Sequence, residues 1–283
     1  MKTSIPSGVT RIGNNAFEHC LKMYNLDVLS TNITYIGDYA FAYCGSHNLA
    51  DSYENLDNLT YGTNGEYKHS LYNHTSSLVM RDRTAPNCAA NKLDISKCEY
   101  IGSYAFFNSN MIKGVVNLPE NSSYDTIKEG TFRYCSGITK VVIPPNVKTI
   151  EAHAFENMTD LEEIVIPSTV ENAELSFFGC ISLKKLIIEP STNPDAIRNI
   201  SDNGFWHCMS IDKNKFDISG INGRIGEKAF YHFSFDVEEL DFYCSELGEY
   251  AIALSDIKKV TFHKDCEFGT LQILFIGQSI GLY

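Results

Sequence analysis

Basic residues are scarce in this sequence, and their shortage excludes one broad class of partner. The chain of 283 residues holds 23 Lys and Arg against 35 Asp and Glu, which gives a formal net charge of −12 at pH 7. Binding to phosphate backbones or to anionic membranes needs a surplus of Lys and Arg, and no basic cluster occurs here. We therefore expect neither nucleic acid nor an anionic membrane surface as a partner.

Long apolar runs and catalytic motifs are also missing. The longest apolar run, LQILFIG near the C-terminus, is far shorter than the roughly 18 to 20 residues of a membrane span. The chain contains no GxSxG, P-loop, GxGxxG or HExxH motif, no CxxC pair and no Cys/His spacing typical of zinc. These absences predict a protein that is not an enzyme, takes no cofactor or metal and does not insert into membranes.

The N-terminus has no signal-peptide pattern. Ile5-Pro6 already matches the end of a repeated strand, so we expect the sequence to begin inside a repeat array. Its composition, with 43% hydrophobic and 20% charged residues, is typical of a globular chain rather than a disordered one.

What the sequence does contain is a sustained repeat, visible in the spacing of one aromatic position. Successive aromatics lie 22 to 28 residues apart, except for one interval of 65 residues. A period held this long predicts a repeat architecture. The aligned positions are Phe17, Phe41, Phe106, Phe132, Phe155, Phe177, Phe205 and Phe230, with Ile252 in the same role.

Residues 147–167, VKTIEAHAFENMTDLEEIVIP, show how one unit is built. A short extended segment ends at Ile150, a tight turn follows around Phe155, and a strand ends the unit. Alternation along that strand points Ile164 and Ile166 inward and Val165 outward. A unit this short cannot bury its apolar face alone, so successive units are expected to stack into one parallel sheet.

Several motifs resemble one repeat family over residues 1 to about 262. IGNNAFEHC, IGDYAFAYC, IGSYAF, VVIPPNVKTIEAHAF and EEIVIPSTV are similar to the BspA-like, or treponemal, class of leucine-rich repeats. The resemblance implies a right-handed solenoid with a parallel β-sheet on its concave face and short helical turns on its convex face. It also implies a bacterial-type surface or secreted protein, located outside the cell or on its surface.

We expect a single solenoid of about nine units over residues 1–283. The long interval predicts an insertion at residues 45–91 within the second unit, rich in Asn, Tyr, Ser and His. Long insertions in regular arrays are often functional, although a decoration without a role is the equal alternative. The apolar residues 268–283 are expected to be a C-terminal cap over the last coil.

The positions of the nine cysteines favour packing in the hydrophobic core over metal binding or disulfide formation. Five of them, Cys20, Cys44, Cys135, Cys180 and Cys208, lie three residues after the repeated Phe, and Met158 takes that place in another unit. Substitution by Met indicates an apolar site, so we expect reduced, buried thiols there. Cys244 and Cys266 are one coil apart, which leaves a bridge between neighbouring coils open.

The outward strand positions form two columns that are candidates for partner binding. The first column holds Lys92, Val115, Lys140, Glu163, Lys185, Lys215, Glu239 and Lys259, and the second holds Asp27, Asp94, Asn117, Val142, Val165, Ile187, Asp217, Asp241 and Thr261. An apolar strip at the middle of the second column suits an interface centre with a polar rim. Ordinary β-sheet packing of β-branched residues is the alternative. The candidate binding residues are Val142, Val165, Ile187, Lys140, Glu163, Lys185, Asp217 and Asp241.

Two functions remain open from the sequence. The first is a non-catalytic binding module that adheres to a protein or glycan partner on a host or another cell. The second is a structural spacer that displays a neighbouring domain and has no ligand of its own.

Overall fold

The computed structural model describes residues 3–20, 23, 26–28, 32–45, 94–109, 112–231, 233, 239–253, 255, 257, 259–263, 266–268 and 279–282. Over these residues the chain forms a parallel-strand β-solenoid, as the repeat pattern predicts, and this part of it has about eight turns. The expected total of about nine units stays a prediction. Within the same ranges the helical content is a single turn of 3-10 helix, Lys213–Lys215.

Twenty short strands follow one another along the described part of the chain. They are β1 (Thr3–Ile5), β2 (Arg11–Ile12), β3 (Leu26–Val28), β4 (Tyr35–Ile36), β5 (Tyr100–Ile101), β6 (Gly114–Asn117), β7 (Thr126–Ile127), β8 (Ile138–Val142), β9 (Thr149–Ile150), β10 (Glu163–Ile166), β11 (Asn172–Leu175), β12 (Lys185–Ile188), β13 (Ile197–Ile200), β14 (Phe216–Asp217), β15 (Arg224–Ile225), β16 (Glu239–Phe242), β17 (Glu246–Leu247), β18 (Lys259–Phe262), β19 (Glu267–Phe268) and β20 (Ser279–Leu282).

Within the ranges given above, the strands pair in parallel with their counterparts in adjacent coils. The order β6-β8-β10-β12-β14 forms what we call the long-strand sheet, and β7-β9-β11-β13-β15-β17-β19 forms the short-strand sheet. Smaller sheets extend the pattern to both ends of the chain, in the orders β1-β3, β2-β4-β5 and β16-β18-β20.

Strand β10 shows the alternation that the sequence predicts. Ile164 and Ile166 are fully buried, while Glu163 and Val165 on the other face keep part of their surface exposed. The backbone therefore places every second side chain of the long strands in the core and leaves the others facing outward.

The prediction of one parallel sheet needs correction, because each coil contributes to two. The two-residue segments before the turns, such as Thr126–Ile127 and Thr149–Ile150, pair with each other and build the short-strand sheet. Two residues are too few to show an alternating pattern, so the sequence marks them only as extended. The solenoid core thus lies between two sheets rather than behind one.

The predicted short helical turns are hydrogen-bonded turns instead. Six of the described turns carry left-handed backbone both two residues before and two residues after the repeated Phe, as at Tyr39 (φ 54°) and Tyr43 (φ 60°), whereas the Phe177 turn carries it only after the Phe, at Gly179 (φ 72°). A left-handed residue every fourth position prevents an α-helix from continuing. Alternate amides point at the next coil instead, and the Phe41 N–H donates to the Ala105 carbonyl at 2.8 Å.

The repeated aromatic rings stack through the core. Ring centroids of Phe41 and Phe106 are 5.7 Å apart, those of Phe155 and Phe177 are 6.1 Å apart, and that of Phe230 lies 4.8 Å from Phe205. These rings are essentially inaccessible to solvent, whereas Phe17 of the first coil is only partly buried. The aligned Phe positions are therefore the spine of the hydrophobic core.

An Ile-Gly pair recurs before the turns, as at Ile36-Gly37 and Ile101-Gly102, and its glycine lets neighbouring coils approach each other closely. A methyl group on Gly102 would lie 2.5 Å from the Asp38 backbone nitrogen and 2.7 Å from the Gly37 carbonyl carbon. We predict that Gly102→Ala lowers the free energy of unfolding by about 1 to 3 kcal/mol, because the coils must move apart.

The first coil supplies a matched control, because a methyl group on Gly13 would meet nothing within 4 Å. Gly13→Ala should leave the free energy of unfolding within about 0.5 kcal/mol of the parent value. Urea unfolding of both variants measures the difference. Equal losses in the two variants would contradict the close-approach explanation.

Two predictions about the chain's organisation fall largely outside the described ranges. The insertion at residues 45–91 is covered by them only at Gly45. Within residues 268–283, β20 pairs in parallel with β18, so this end adds a strand to the stack. Its role as a cap stays a prediction.

Candidate functional site

The long-strand sheet places the candidate binding residues in two adjacent columns. Glu163 is in register with Lys140 on one side and Lys185 on the other, and Val165 is in register with Ile187. Val142 is the last residue of β8, one position beyond the pair that Val141 makes with Ile164. The long-strand sheet therefore contains seven of the eight candidates, all except Asp241.

The first column is an ion-paired row. Glu163 lies 2.7 Å from the Lys185 ammonium and 3.1 Å from that of Lys140. Hydrogen bonds from Lys185 and Lys140 lower the pKa of the Glu163 carboxyl below its ordinary value, against a smaller opposing effect of burial. All three side chains remain substantially exposed, so the row contributes little to stability and stays available to a partner.

The second column is a narrow apolar strip. Val142 is 37% exposed, and Val165 and Ile187 are half-buried. Val115 extends the apolar surface within the neighbouring column, where its side chain is 56% exposed. The lysine stems beside the strip add aliphatic surface to it.

The acidic ends of the strip are placed less regularly than the sequence predicts. Asp217 follows Ile187 in register, at the edge strand β14, and its carboxylate accepts the Ser219 N–H at 2.8 Å.

The predicted place of Asp241 in the second column is wrong, because this residue lies in β16, which pairs with β18 in a separate sheet. Its carboxylate contacts the His263 ring at 3.1 Å. Asp94, expected in the same column, precedes a turn and accepts the Ser96 N–H. The strip therefore has one acidic end within its own sheet.

The repeat cysteines do more than pack. The thiol of Cys135 donates to the Phe106 carbonyl at 2.8 Å, and Cys180 and Cys208 donate in the same way to Phe155 and Phe177. Burial raises the pKa of the Cys180 thiol to about 12. Each thiol is thus a weak hydrogen-bond donor between coils, which the sequence pattern alone does not reveal.

Native thiol labelling should separate the repeat cysteines into two groups. Cys44, Cys135, Cys180 and Cys208 are buried and should label only in denaturant, because a protonated, inaccessible thiol does not react. Cys20, which the sequence places with them, is only partly buried and should label in the native state. Mass spectrometry after alkylation checks this, and rapid labelling of Cys180 would contradict the packing.

A buried ionic cluster lies beside the core at the turn of the fifth coil. Glu156 is 6% exposed, and its carboxylate accepts hydrogen bonds from Arg133 at 2.9 Å and from Ser176 at 2.8 Å. A ring nitrogen of His153 lies 2.7 Å from the same carboxylate. Burial alone would raise the pKa of this carboxyl, but the His153 hydrogen bond and the Arg133 charge together lower it. The cluster joins three successive coils, those of Phe132, Phe155 and Phe177, and no sequence motif predicts it.

Aromatic rows along the turns are a second feature that the sequence analysis missed. Tyr39 stacks on Tyr104 with centroids 5.1 Å apart, and His19 stacks on Tyr43 at 4.5 Å. The only sequence signal is the recurrence of Tyr and His two residues on either side of the repeated Phe. The rings stack along the solenoid axis, so they support the coils as cross-strand pairs do.

The described residues contain neither a metal-binding cluster nor a membrane-spanning helix. No group of three or more His, Cys, Asp or Glu side chains there is arranged to hold a metal ion. In the same part of the chain, no helix has the length and apolar character needed to cross a membrane.

Short parallel strands stacked coil on coil define the chain as a repeat solenoid. The family model described as the BspA type leucine rich repeat region matches six copies, over residues 1–70, 81–178 and 173–272. The chain belongs to this family. Its members are typically surface-associated, and their repeats generally bind proteins rather than catalyse reactions.

Comparison with individual proteins adds little. A similar solved structure is the crystal structure of a leucine-rich repeat protein from Bacteroides ovatus ATCC 8483, with 16% identity over 95% of this chain and 83% of that one. Its TM-score of 0.28 is too low to support a conclusion. None of the curated proteins compared with the chain matches it.

Proposed function

We propose that this chain is a non-catalytic binding module of a surface or secreted protein, and that it holds an extended segment of a partner protein on the long-strand sheet. The observation that supports this most is the apolar strip of Val142, Val165 and Ile187, lined on one side by the ion-paired row. An apolar centre within a charged rim is the usual anatomy of a protein interface.

The chemistry of the surface favours a partner with a definite pattern. The strip accommodates a run of apolar side chains, and Asp217 at its edge suits a basic residue at one end of that run. Glu163 contacts two lysines, so an acidic group on the partner can replace it at either Lys140 or Lys185. The sheet is already formed before the partner binds, so binding costs little conformational entropy on this side of the interface.

A binding screen with the purified chain tests the proposal. The chain carries a terminal peptide tag for detection, which leaves Lys140 and Lys185 unmodified, and is applied to one array of host-matrix and cell-surface proteins and another of glycans. We expect specific binding to proteins, weakened only modestly by salt, because the apolar strip contributes most of the contact. Binding to glycans alone would contradict the proposed partner class.

The alternative role as a structural spacer draws on a different observation. Backbone hydrogen bonds connect the coils in both sheets and along the turns, which makes the array stiff. A folded chain that binds nothing on either array supports the spacer and contradicts the binding module.

A further inference from the structure

Cys244 and Cys266 bring their side chains together on adjacent coils. Their sulfurs are 3.3 Å apart, with Cys244 almost fully buried and Cys266 partly exposed. Each precedes a strand of the short-strand sheet, β17 and β19 respectively, and the Glu267 N–H donates to the Ser245 carbonyl at 2.8 Å. The ladder that follows therefore holds the two thiols in place.

This arrangement differs from that of the repeat cysteines. The thiols of Cys44, Cys135 and Cys208 each donate to the carbonyl of the repeated Phe one coil earlier, at 2.8 to 3.0 Å. Their sulfurs are engaged with backbone and shielded by the core. The sulfurs of Cys244 and Cys266 contact each other, and the Cys266 thiol, which reaches the surface, also donates to the Glu267 carbonyl at 3.7 Å.

We propose that Cys244 and Cys266 are a covalent modification site, where a disulfide forms between two coils when the protein meets a small-molecule disulfide. The Cys266 thiol, being the more accessible, loses its proton, and the thiolate attacks one sulfur of the oxidant. That step breaks the oxidant's S–S bond and releases one thiolate. The Cys244 thiolate then attacks the Cys266 sulfur and releases the second thiolate.

The exchange is balanced in atoms and electrons. Two protein thiols lose two protons and two electrons, and the oxidant is reduced to two thiols. The cross-link joins residues one coil apart and closes a loop of that length, which restricts the unfolded chain. It therefore staples the C-terminal coils of the array, and it does so whether or not the long-strand sheet binds a partner.

Peptide mapping of the parent protein tests this site directly. The native protein is incubated with oxidised glutathione, its remaining thiols are alkylated, and non-reducing digestion is followed by mass spectrometry. We expect a peptide pair linked through Cys244 and Cys266, while Cys44, Cys135, Cys180 and Cys208 stay reduced as internal controls. The oxidised form should also melt higher than the reduced form, by on the order of 5 °C.

Two results would overturn the assignment. One is full alkylation of both cysteines after the incubation. The other is a disulfide from either cysteine to a different sulfur, whether that of a third cysteine or that of a glutathione on Cys266 that Cys244 never displaces. A variant with both Cys244→Ser and Cys266→Ser separates the effects on melting, because its melting temperature should not change with the redox buffer.

Discussion

Phe155→Ala is expected to lower the free energy of unfolding by about 3 to 5 kcal/mol. The Phe155 ring is 1% exposed and stacks on Phe177 with an interplanar angle of 3°. Removing it leaves a cavity in the middle of the spine, where coils on both sides are fixed by backbone ladders and cannot collapse into the gap. Each unit of a solenoid is stabilised by its neighbours, so the loss also uncouples the coils on either side.

Phe17→Ala is the matched control for this prediction. Phe17 stacks on Phe41 at 5.2 Å but lies on the first coil, where its ring is only partly buried. Truncation there should cost clearly less than truncation at Phe155. Thermal and urea unfolding of both variants measure the difference, and equal costs at the two positions would mean that the ring stack is not the core.

Glu156→Ala is expected to cost about 2 to 4 kcal/mol, since it removes one partner from a buried ion pair. Arg133 would keep a partly buried charge without its carboxylate, and Ser176 would lose its acceptor. Glu162→Ala is the control, because Glu162 pairs with Lys184 at 3.0 Å where both side chains are about half exposed. That exposed pair should contribute less than about 1 kcal/mol.

The Glu156 contribution should also depend on pH. The folded-state pKa of its carboxyl lies below the ordinary value of 4.5, so the stabilisation is fully present above pH 4.5 and is lost as pH falls through the folded-state pKa. Chemical denaturation of the parent and of Glu156→Gln between pH 3 and 7 measures this. The two curves should converge at the acid end, and a constant difference at all pH values would contradict the assigned cause.

The sequence predicted the period, the buried Phe positions and the register of the long strands. These features follow from the pattern of hydrophobic side chains, which is visible in one repeat and recurs at the same positions in the others. Lys140, Glu163 and Lys185 were placed in one row because residues at equal positions in successive coils must be neighbours in a parallel stack.

The features that the sequence missed depend on backbone geometry. The left-handed conformation at Tyr39 and Tyr104 is unusual for a residue with a side chain, so nothing in their identity indicates non-helical turns. The second column also does not reach Asp241, because the long-strand sheet ends at β14 and β16 pairs with β18 in a separate sheet.

The central claim is that the outward face of the long-strand sheet binds the partner, and a paired charge substitution measures it most directly. Val165→Asp places a charge in the middle of the strip, while Ile197→Asp places the same charge on the short-strand sheet, at an apolar side chain that is 57% exposed. Both leave the inward residues intact, and circular dichroism confirms that each variant is folded. Dissociation constants for the protein partner identified by the array are then compared with that of the parent. The account predicts binding weakened about 5- to 150-fold by Val165→Asp and unchanged by Ile197→Asp. Parent-like affinity in Val165→Asp would contradict it.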